Sequence, residues 1–407
     1  MKLLLVILVF ILTGCLDGDK KTESVGDSKK NKVQRKMVET EFEREKSISA
    51  RVMLERLSRK KENMVYSPMS LEYALGILAL TAKGGELEKI SSYLGVRADQ
   101  VEQHLMEILE DFEKIDAEGR VKIANLVMLK KSLEPNEERL KQISENLGVN
   151  FQRVNFVENN EMVLSDLNGW INKNTFGKIN NLISRLDPTS IFVIANALYF
   201  KMDWVESFKD TSFEMHPFFK TGSSKIDVEM MTDEKHYEYA DFEEGQAVSL
   251  PFKTGRFSMW LIKPKKDLDT LIRRMKADSF SKILEKKYYQ KVSLKVPRFR
   301  IENKLNMIND LKELGLESLT VSPNYNLGEF FKNKEDIIIA SVIQGNFFDF
   351  NERGVEAASA TVIGGVAGGP PPSDKPIELI FDKPFFFAVY HKDSGRFMFM
   401  GSVYEPK

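Results

Sequence analysis

Apolar residues recur along this chain in two spacings that predict different secondary structures. Runs with the continuous or alternating pattern of strands lie at residues 121–128, 191–200, 257–262 and 292–296. Apolar residues return every three or four positions, as on one face of a helix, at residues 70–80 and 305–314. Because the two patterns interleave, we predict an α+β fold in which helices and strands share one domain.

The amino-terminal segment resembles an export signal. Lys2 precedes an apolar run, residues 3–12, that is too short to span a bilayer but suits a signal peptide. The run ends in a sequence similar to the bacterial lipoprotein motif, Leu12-Thr13-Gly14-Cys15. We predict a signal peptide over residues 1–14, a lipid on Cys15, and a location in the cell envelope outside the cytoplasm. An uncleaved anchor and an ordinary secretory signal are the alternatives.

Residues 15–46 differ in composition from the rest of the chain. They carry dense charge of both signs and few apolar side chains, so they cannot bury enough surface to offset the entropy lost on ordering. We expect a flexible tether that joins the lipid to the body. Residues 47–407 contain neither an internal repeat nor a long linker, which predicts one large domain.

Composition limits the classes of partner. The chain has 407 residues, 42% of them hydrophobic, and a formal net charge of -1. It can therefore bury a large core, but it lacks the excess of basic residues that nucleic acid attracts. We expect a monomer that binds no nucleic acid and touches the membrane only through its lipid.

Residues suited to catalysis or metal binding are sparse. Cys15 is the only cysteine, so no thiol remains for a nucleophile, a disulfide or a thiolate metal site. The histidines form no HExxH motif; they are His104, His216, His236 and His391. No nucleophile elbow, Walker loop or dinucleotide fingerprint occurs, and the glycine-rich residues 364–369 lack the Lys and Ser or Thr of a phosphate loop. We predict no catalytic residue, no cofactor and no metal.

One segment near the carboxyl terminus has a composition compatible with two conformations. Between predicted strands at residues 340–350 and 377–381 lies a stretch of small, polar and β-branched residues, 352–363. As a strand it would present one face with Val355, Ala357, Ser359, Thr361 and Ile363, and another with Glu356, Ala358, Ala360 and Val362. The first face has no charge, so this stretch can enter a sheet without burying an ion. The alternative is a flexible Gly/Ala-rich connector.

Residues 352–361 resemble the hinge motif of the serpin family, and other segments are similar to that family in the same order. These segments are residues 63–70, 82–84, 168–171, 175–179, 196–201 with Trp204, 382–387 and 399–403. The resemblance covers residues 47–406. It implies a serpin-type domain with a large central mixed β-sheet, further sheets, surrounding helices and an exposed reactive loop near residues 354–375.

The resemblance also implies roles for single residues. The loop hinge would comprise Glu352, Gly354, Val355, Glu356, Ala357, Ala358, Ser359, Ala360 and Thr361. Gly354 would be the pivot, because a residue without a side chain changes φ freely. The residues expected to govern the opening of the sheet are Ser67, Ser70, Asn196, Gln344, Arg298 and Trp204.

Three of these sheet-opening residues carry expectations of their own. Arg298 is expected to pair with Glu352; the alternative is an ordinary surface ion pair worth roughly 0–1 kcal/mol. Gln344 stands where the family usually has a histidine, so the cluster loses any pH response at that position. Trp204 would pack near the place where the loop enters the sheet, and ordinary core packing explains it almost as well.

The residues around the expected cleavage site are small. Counting from the hinge places the scissile bond between Gly368 and Gly369, with Ala367 and Val366 as close alternatives. No Arg, Lys, Phe, Tyr or Leu occurs from residue 362 to 373, so a trypsin-like or chymotrypsin-like pocket finds no matching side chain. We expect an elastase-like or subtilisin-like serine protease as partner and, less favoured, a papain-like cysteine protease. The glycines at 364–369 would weaken an inserted strand and slow its insertion.

The resemblance favours an inhibitor of extracellular serine proteases that acts as a suicide substrate, not an enzyme. A protease would cleave the exposed loop, and the cleaved strand would insert into the main sheet. A non-inhibitory serpin that serves as a binding or carrier module is the leading alternative. A hydrolase is a third hypothesis, although no nucleophile and base are recognisable.

Overall fold

The computed structural model describes residues 54, 56–57, 60–116, 120–181, 183–209, 213–220, 224–275, 279–321, 330–332, 339–355 and 375–407. All of them belong to one compact unit, Glu43–Lys407. The expected signal peptide, the lipidated Cys15, the tether and the loop from Glu356 through Gly369 lie outside the described residues. What the sequence predicts for them stays a prediction.

Strands supply most of the framework. They are numbered along the chain as β1 (Met64–Tyr66), β2 (Arg120–Lys130), β3 (Val149–Val154), β4 (Phe192–Asp203), β5 (Phe213–Phe219), β6 (Lys225–Asp241), β7 (Gly245–Pro251), β8 (Phe257–Pro264), β9 (Tyr288–Pro297), β10 (Phe299–Asn306), β11 (Ile339–Asn351), β12 (Gly354–Val355), β13 (Ile377–Ile380), β14 (Phe385–His391) and β15 (Phe397–Val403).

Helices surround these strands. In the described ranges they are α1 (Pro68–Thr81), α2 (Gly85–Tyr93), α3 (Val101–Asp116), α4 (Glu137–Leu147), α5 (Asn160–Asn174), α6 (Leu268–Arg274), α7 (Ser279–Glu285), α8 (Ile308–Glu313) and α9 (Ser318–Val321). Three of them begin at a residue whose side chain accepts a backbone N–H of the first turn, namely Ser67, Asn136 and Asp267. None of the described helices is long and apolar enough to span a bilayer.

A six-stranded sheet, in the order β10-β11-β12-β4-β2-β3, carries the candidate site. Its pairing is mixed, because β11 is parallel to β4 and β2 is parallel to β3, whereas β10 and β11 are antiparallel. A parallel pair requires a crossover connection, and α4 provides the crossover between β2 and β3. The large mixed sheet expected from the sequence is confirmed.

The second sheet has nine strands. Their order is β1-β15-β14-β8-β7-β6-β9-β13, and β5 pairs with β6 beside this path. The carboxyl-terminal strands β14 and β15 lie well inside it, and their side chains Phe385, Phe387 and Phe399 are fully buried. Two sheets with surrounding helices in one unit confirm the predicted α+β class.

Successive residues of β4 face two different apolar clusters. Ile194 and Leu198 belong to the main core, whereas Val193 and Ala195 pack in a smaller cluster with Leu167 of α5. Because both faces of the strand are buried, its sequence is a nearly continuous apolar run. This explains why residues 191–200 predict a strand without showing a clear alternation.

Most predicted elements correspond to observed ones, but the helix predicted at residues 305–314 begins too early. Leu305 and Asn306 are the last residues of β10, and α8 starts only at Ile308. The Asn306 side chain accepts the N–H of Ile308 at 3.1 Å, which favours a break between strand and helix. The apolar spacing therefore ran across the junction of two elements.

Candidate functional site

Strands β11 and β4 are hydrogen-bonded over only part of their length. They pair in parallel from Ile339 and Phe192 to Asn346 and Leu198, and the direct pairing stops there. We call the Asn346–Leu198 pair the fork. The region beyond it, between residues 347–351 of β11 and 199–203 of β4, is called the slot. Strand β12 occupies the end of the slot that lies farthest from the fork.

Strand β12 is antiparallel to both of its neighbours. Val355 lies opposite Phe350 of β11 and opposite Met202 of β4, and its side chain is fully buried in the main core. Burial of a valine side chain contributes about 1.5–3 kcal/mol. Gly354 and Val355 of the expected hinge are therefore already part of the sheet.

Gly354 lies where the backbone of β12 comes close to β4. A Cβ atom at this position would collide with the Met202 carbonyl oxygen and would lie 2.8 Å from the Asp203 Cα. Gly354 is not among the residues with positive φ. In this conformation glycine is required for the close approach of two backbones, and not for a left-handed turn. Its expected role as a pivot stays a prediction.

Trp204 fastens the turn between β11 and β12 to the end of β4. Its Nε1–H donates to the Asn351 carbonyl oxygen at 3.0 Å, and its backbone N–H donates to the Arg353 carbonyl oxygen at 2.9 Å. The indole is 2% exposed, stacks on Phe252 with ring centroids 4.5 Å apart, and meets Phe350 edge to face. Trp204 therefore packs in the core and also lies beside the slot.

The structure brings Arg298 and Glu352 together next to this turn. The Arg298 Nη2 lies 3.1 Å from Glu352 Oε2, and the guanidinium also lies 3.4 Å from the Glu229 carboxylate and 4.2 Å from the Phe213 ring centroid. The Arg298 side chain is 41% exposed, so water screens the pair, and a contribution of about 0–1 kcal/mol is expected. The Phe208 N–H donates to the Glu352 carbonyl oxygen at 2.8 Å and also holds the turn.

Gln344 of β11 binds the backbone of Ser67 through both amide atoms. The Ser67 N–H donates to Oε1 at 3.0 Å, and Nε2 donates to the Ser67 carbonyl oxygen at 2.9 Å. Ser67 also begins α1, where its hydroxyl accepts the Ser70 N–H at 3.2 Å. Gln344 is buried and its amide does not ionise. The connection between β11 and α1 therefore contains no titratable side chain at this point.

A second amide contact continues across the same sheet. The Asn196 Nδ2 donates to Asn125 Oδ1 at 2.7 Å, and Asn196 lies opposite Gln344 in the register of β4 and β11. Asn125 was missed from the sequence, although a lone amide in the apolar run 121–128 is a signal for such a contact. Among the described residues, Asn196 Oδ1 and the Ser70 hydroxyl have no hydrogen-bond partner.

Two histidines of the described residues, His104 of α3 and His391 of β14, are buried outside the slot. His104 of α3 is 6% exposed, and its Nδ1 lies 3.3 Å from the Arg396 guanidinium. Burial, and to a smaller extent the charge of Arg396, lowers the pKa of His104 to about 4. Within the described part of the chain, no group of three or more His, Cys, Asp or Glu side chains could hold a metal ion.

The expected functional residues divide into two groups. The structure gathers Glu352, Gly354, Val355, Trp204 and Arg298 at the far end of the slot, and places Ser67, Ser70, Asn196 and Gln344 on the other side of the fork. The remaining hinge residues, 356–361, and the expected cleavage site, 366–369, lie outside the described residues.

Comparisons with known proteins agree with this architecture. The family described as Serpin (serine protease inhibitor) matches residues 47–406. The chain is 26% identical to human neuroserpin, over 86% of this chain and 88% of that protein. It is 27% identical to leukocyte elastase inhibitor A of Mus musculus, over 84% and 93% of the two chains.

The fold is also shared with solved structures. Human thyroxine-binding globulin superimposes with a TM-score of 0.80, covering 90% of this chain and 100% of the other at 19% identity. At such low identity, the similarity supports a shared fold and nothing about function. The family match, in contrast, includes the strands and the turn that form the slot. The chain belongs to the serpin family.

Proposed function

We propose that this serpin inhibits an extracellular serine protease by acting as a suicide substrate. The protease cleaves the loop that follows β12, and the strand on the amino-terminal side of the cut inserts between β11 and β4. One observation carries the proposal: Gly354 and Val355 already pair with both strands at the far end of the slot. Insertion then only has to extend a strand that has begun.

The register of β12 determines where each inserted residue would lie. Because β12 is antiparallel to both neighbours, a strand that continued β12 would place each residue after Val355 opposite a residue one step closer to the fork. Thr361 would thus face Gln344 on one side and Asn196 on the other, which are themselves partners in the present sheet. The new strand could therefore separate β11 from β4 without shifting either strand along its axis.

The two faces of the inserted strand would meet different surroundings. The uncharged face of Val355 and Ala357 would look into the main core, because Val355 already does so. Glu356 points the other way in a strand and would lie between Lys201 and Asp349, both half-buried. The charged residue of the stretch thus avoids the main core, which supports insertion.

The target protease would supply all of the covalent chemistry. Its serine Oγ attacks the carbonyl carbon at the scissile bond and forms an ester, while the C–N bond breaks and the leaving amine receives a proton from the protease's histidine. Insertion of the cleaved strand would then pull the ester-linked protease away before water reaches the ester. Each added ladder hydrogen bond contributes about 1 kcal/mol net, and the inhibitor needs no catalytic group.

The small residues at the expected cleavage site support an elastase-like or subtilisin-like target. Gly368, Ala367 and Val366 suit a shallow specificity pocket and offer nothing to a deep or charged one. A relative named leukocyte elastase inhibitor A is consistent with this preference. A papain-like cysteine protease is the less favoured target.

The decisive experiment incubates the purified protein separately with an elastase and with trypsin. We expect a complex that survives SDS with the elastase only, and mass spectrometry should locate the cut between residues 366 and 369. Cleavage by elastase without a stable complex, or a cut outside residues 365–370, would contradict the proposal.

We also propose that the inhibitor works at the cell envelope. A lipid on Cys15 would hold it at the membrane, and the charged residues up to 46 would keep the body clear of the surface. The support for this is the sequence around Cys15.

A further inference from the structure

A small cavity lies between the end of β4 and the strands β6, β7 and β9. Its volume is about 210 Å³, and the residues that line it include Trp204 just after β4, Tyr289 of β9 and Lys392 in the turn after β14. Pockets that hold drug-sized ligands usually measure about 300–1,000 Å³. This cavity therefore suits a smaller molecule, one with a single ring and a short arm.

Ser249 brings a buried hydroxyl to the cavity. Its neighbours in β7, Val248 and Leu250, belong to the main core, so the Ser249 side chain points to the opposite face of the strand. The residue is 2% exposed and lines the cavity, and its hydroxyl has no hydrogen-bond partner among the described residues. Buried hydroxyls are usually hydrogen-bonded, because they otherwise lose their bonds to water without replacement. A polar group that enters the cavity would satisfy this hydroxyl.

The carboxylates that line the cavity already have cationic partners. Glu206 Oε2 lies 3.1 Å from Lys235 Nζ, and Glu238 Oε1 accepts a hydrogen bond from Lys287 Nζ at 2.9 Å. Lys392 differs, since no ion pair or hydrogen bond joins its ammonium group to another described residue. An ammonium group can only donate hydrogen bonds. The free charge at the cavity therefore favours a ligand with an anionic oxygen.

Tyr289 provides an aromatic ring beside the same cavity. It lies opposite Glu238 in the antiparallel pair of β9 and β6, so the two side chains lie on one side of the sheet. The Tyr289 side chain is 67% exposed. In contrast, the ring of the preceding Tyr288 packs edge to face on Tyr239, with centroids 5.6 Å apart. An exposed ring at a cavity can stack on a planar group of a ligand.

We propose that this cavity binds a small aromatic carboxylate, whose charge pairs with Lys392, whose oxygen accepts the Ser249 hydroxyl, and whose ring lies against Tyr289. A charge-assisted hydrogen bond fixes the acidic end, and the apolar lining residues Leu250 and Pro251 shield the ring from water. The binding does not depend on the inhibitory function, because it requires neither the reactive loop nor the slot.

The test titrates the purified full chain with phenylacetate in a calorimeter. Two temperatures are used, so that a binding enthalpy near zero at one of them is not mistaken for a lack of binding. We expect saturable binding at one site. Phenylacetamide has the same shape without the charge, and acetate has the charge without the ring; each should bind about tenfold more weakly.

Lys392→Gln removes the charge at an exposed position. The variant should bind phenylacetate about tenfold more weakly and phenylacetamide as the unmodified chain does, because only the first ligand is charged. A general loss of structure would weaken both ligands alike. Lys304→Gln, the same exchange at an exposed position of β10, should leave both affinities unchanged.

The ring and the hydroxyl are tested in the same way. Tyr289→Ala should weaken phenylacetate and phenylacetamide together, whereas Tyr288→Ala, at the neighbouring position of β9, should leave both affinities unchanged. Ser249→Ala should weaken phenylacetate, and its Tm is measured alongside because the residue is buried.

Two results would overturn the proposal. One is the absence of binding at millimolar phenylacetate, or an equal affinity of the unmodified chain for phenylacetate and phenylacetamide. The other is unchanged phenylacetate binding in both Lys392→Gln and Tyr289→Ala, since the ligand would then bind elsewhere on the protein.

Discussion

Two neighbouring residues, Gly354 and Val355, hold the start of the predicted hinge between β11 and β4. Gly354 passes close to the Met202 carbonyl oxygen because it has no Cβ, and Val355 then buries its side chain beside Phe350. The missing Cβ of Gly354 permits the close approach of the two backbones, and the burial of the Val355 side chain stabilises it. The far end of the slot is therefore held by contacts that a single side chain can abolish.

Val355→Arg should turn the inhibitor into an ordinary substrate. The exchange would place an unpaired guanidinium in the main core, which is costly enough to keep the strand out of the sheet. Elastase should then cut the loop and leave without forming a complex that survives SDS, as a gel and the mass of the fragments will show. Persistence of the complex in this variant would contradict insertion from this hinge.

The matched control for that exchange is Val157→Arg. Val157 is 69% exposed, so the same change of charge there should leave the complex intact. The experiment also separates the inhibitor from the carrier module, because a carrier would form no complex in either variant or in the unmodified chain.

At the scale of elements, the sequence predicted individual strands and helices from their own apolar patterns. It missed the features that arise only where two elements pair. The strand at residues 121–128 was predicted from its apolar pattern, but the contact of Asn125 with Asn196 exists only because β2 lies beside β4. Strand β12 has two residues, too few for a periodic signal, and is defined by its neighbours alone. The false start of the helix at Leu305 has the same origin, since β10 ends by pairing with β11.

The candidate site was predicted by resemblance more than by pattern. Arg298, Trp204 and Gln344 stand in ordinary sequence contexts, and nothing local distinguishes them from surface or core residues. Their positions in the site follow from the packing of β4, β10 and β11. These strands are far apart in the sequence, so no short stretch of sequence shows that they are neighbours. The alternation from Val355 onward was the exception, because the two faces of a strand can be read directly from the sequence.

His104 of helix α3 contacts Arg396 in the turn between β14 and β15, and its burial there predicts a loss of stability in acid. The pKa of His104 is lowered to about 4 in the folded protein, against about 6.5 in an unfolded chain. Between these values the unfolded chain binds the proton that the folded protein does not, so stability falls as pH falls from 6.5 to 4. The loss attributable to His104 should be on the order of 2–3 kcal/mol.

Urea unfolding of the unmodified chain and of His104→Gln, each at pH 7 and pH 4.5, measures this loss. The variant should lose less stability on acidification, because glutamine does not titrate. His236→Gln removes an exposed histidine instead and should behave like the unmodified chain. An equal acid sensitivity in all three proteins would assign the effect to other groups.

For the molecule as a whole, the proposed location at the membrane would depend on the sulfur of Cys15. Cys15→Ser removes the sulfur to which a lipid would attach, so the variant should move from the membrane fraction to the soluble fraction of the cell envelope. Immunoblots of the two fractions report the change, and an undiminished complex with elastase would show that the body is intact.

The other outcomes of that fractionation identify the alternatives. A variant that stays with the membrane as firmly as the unmodified chain would indicate an uncleaved anchor. A soluble unmodified chain would indicate an ordinary secretory signal.

The burial of β14 and β15 within the nine-stranded sheet has a consequence for the product of the reaction. After the proposed cut, β14 and β15 with Phe385, Phe387 and Phe399 would remain embedded in the sheet, although no peptide bond would join them to the rest of the chain. A spent inhibitor would therefore keep its tail in native solution and shed it as a short peptide only in denaturant. On a denaturing gel, the covalent complex should therefore run at the mass of the protease plus that of the inhibitor without its tail.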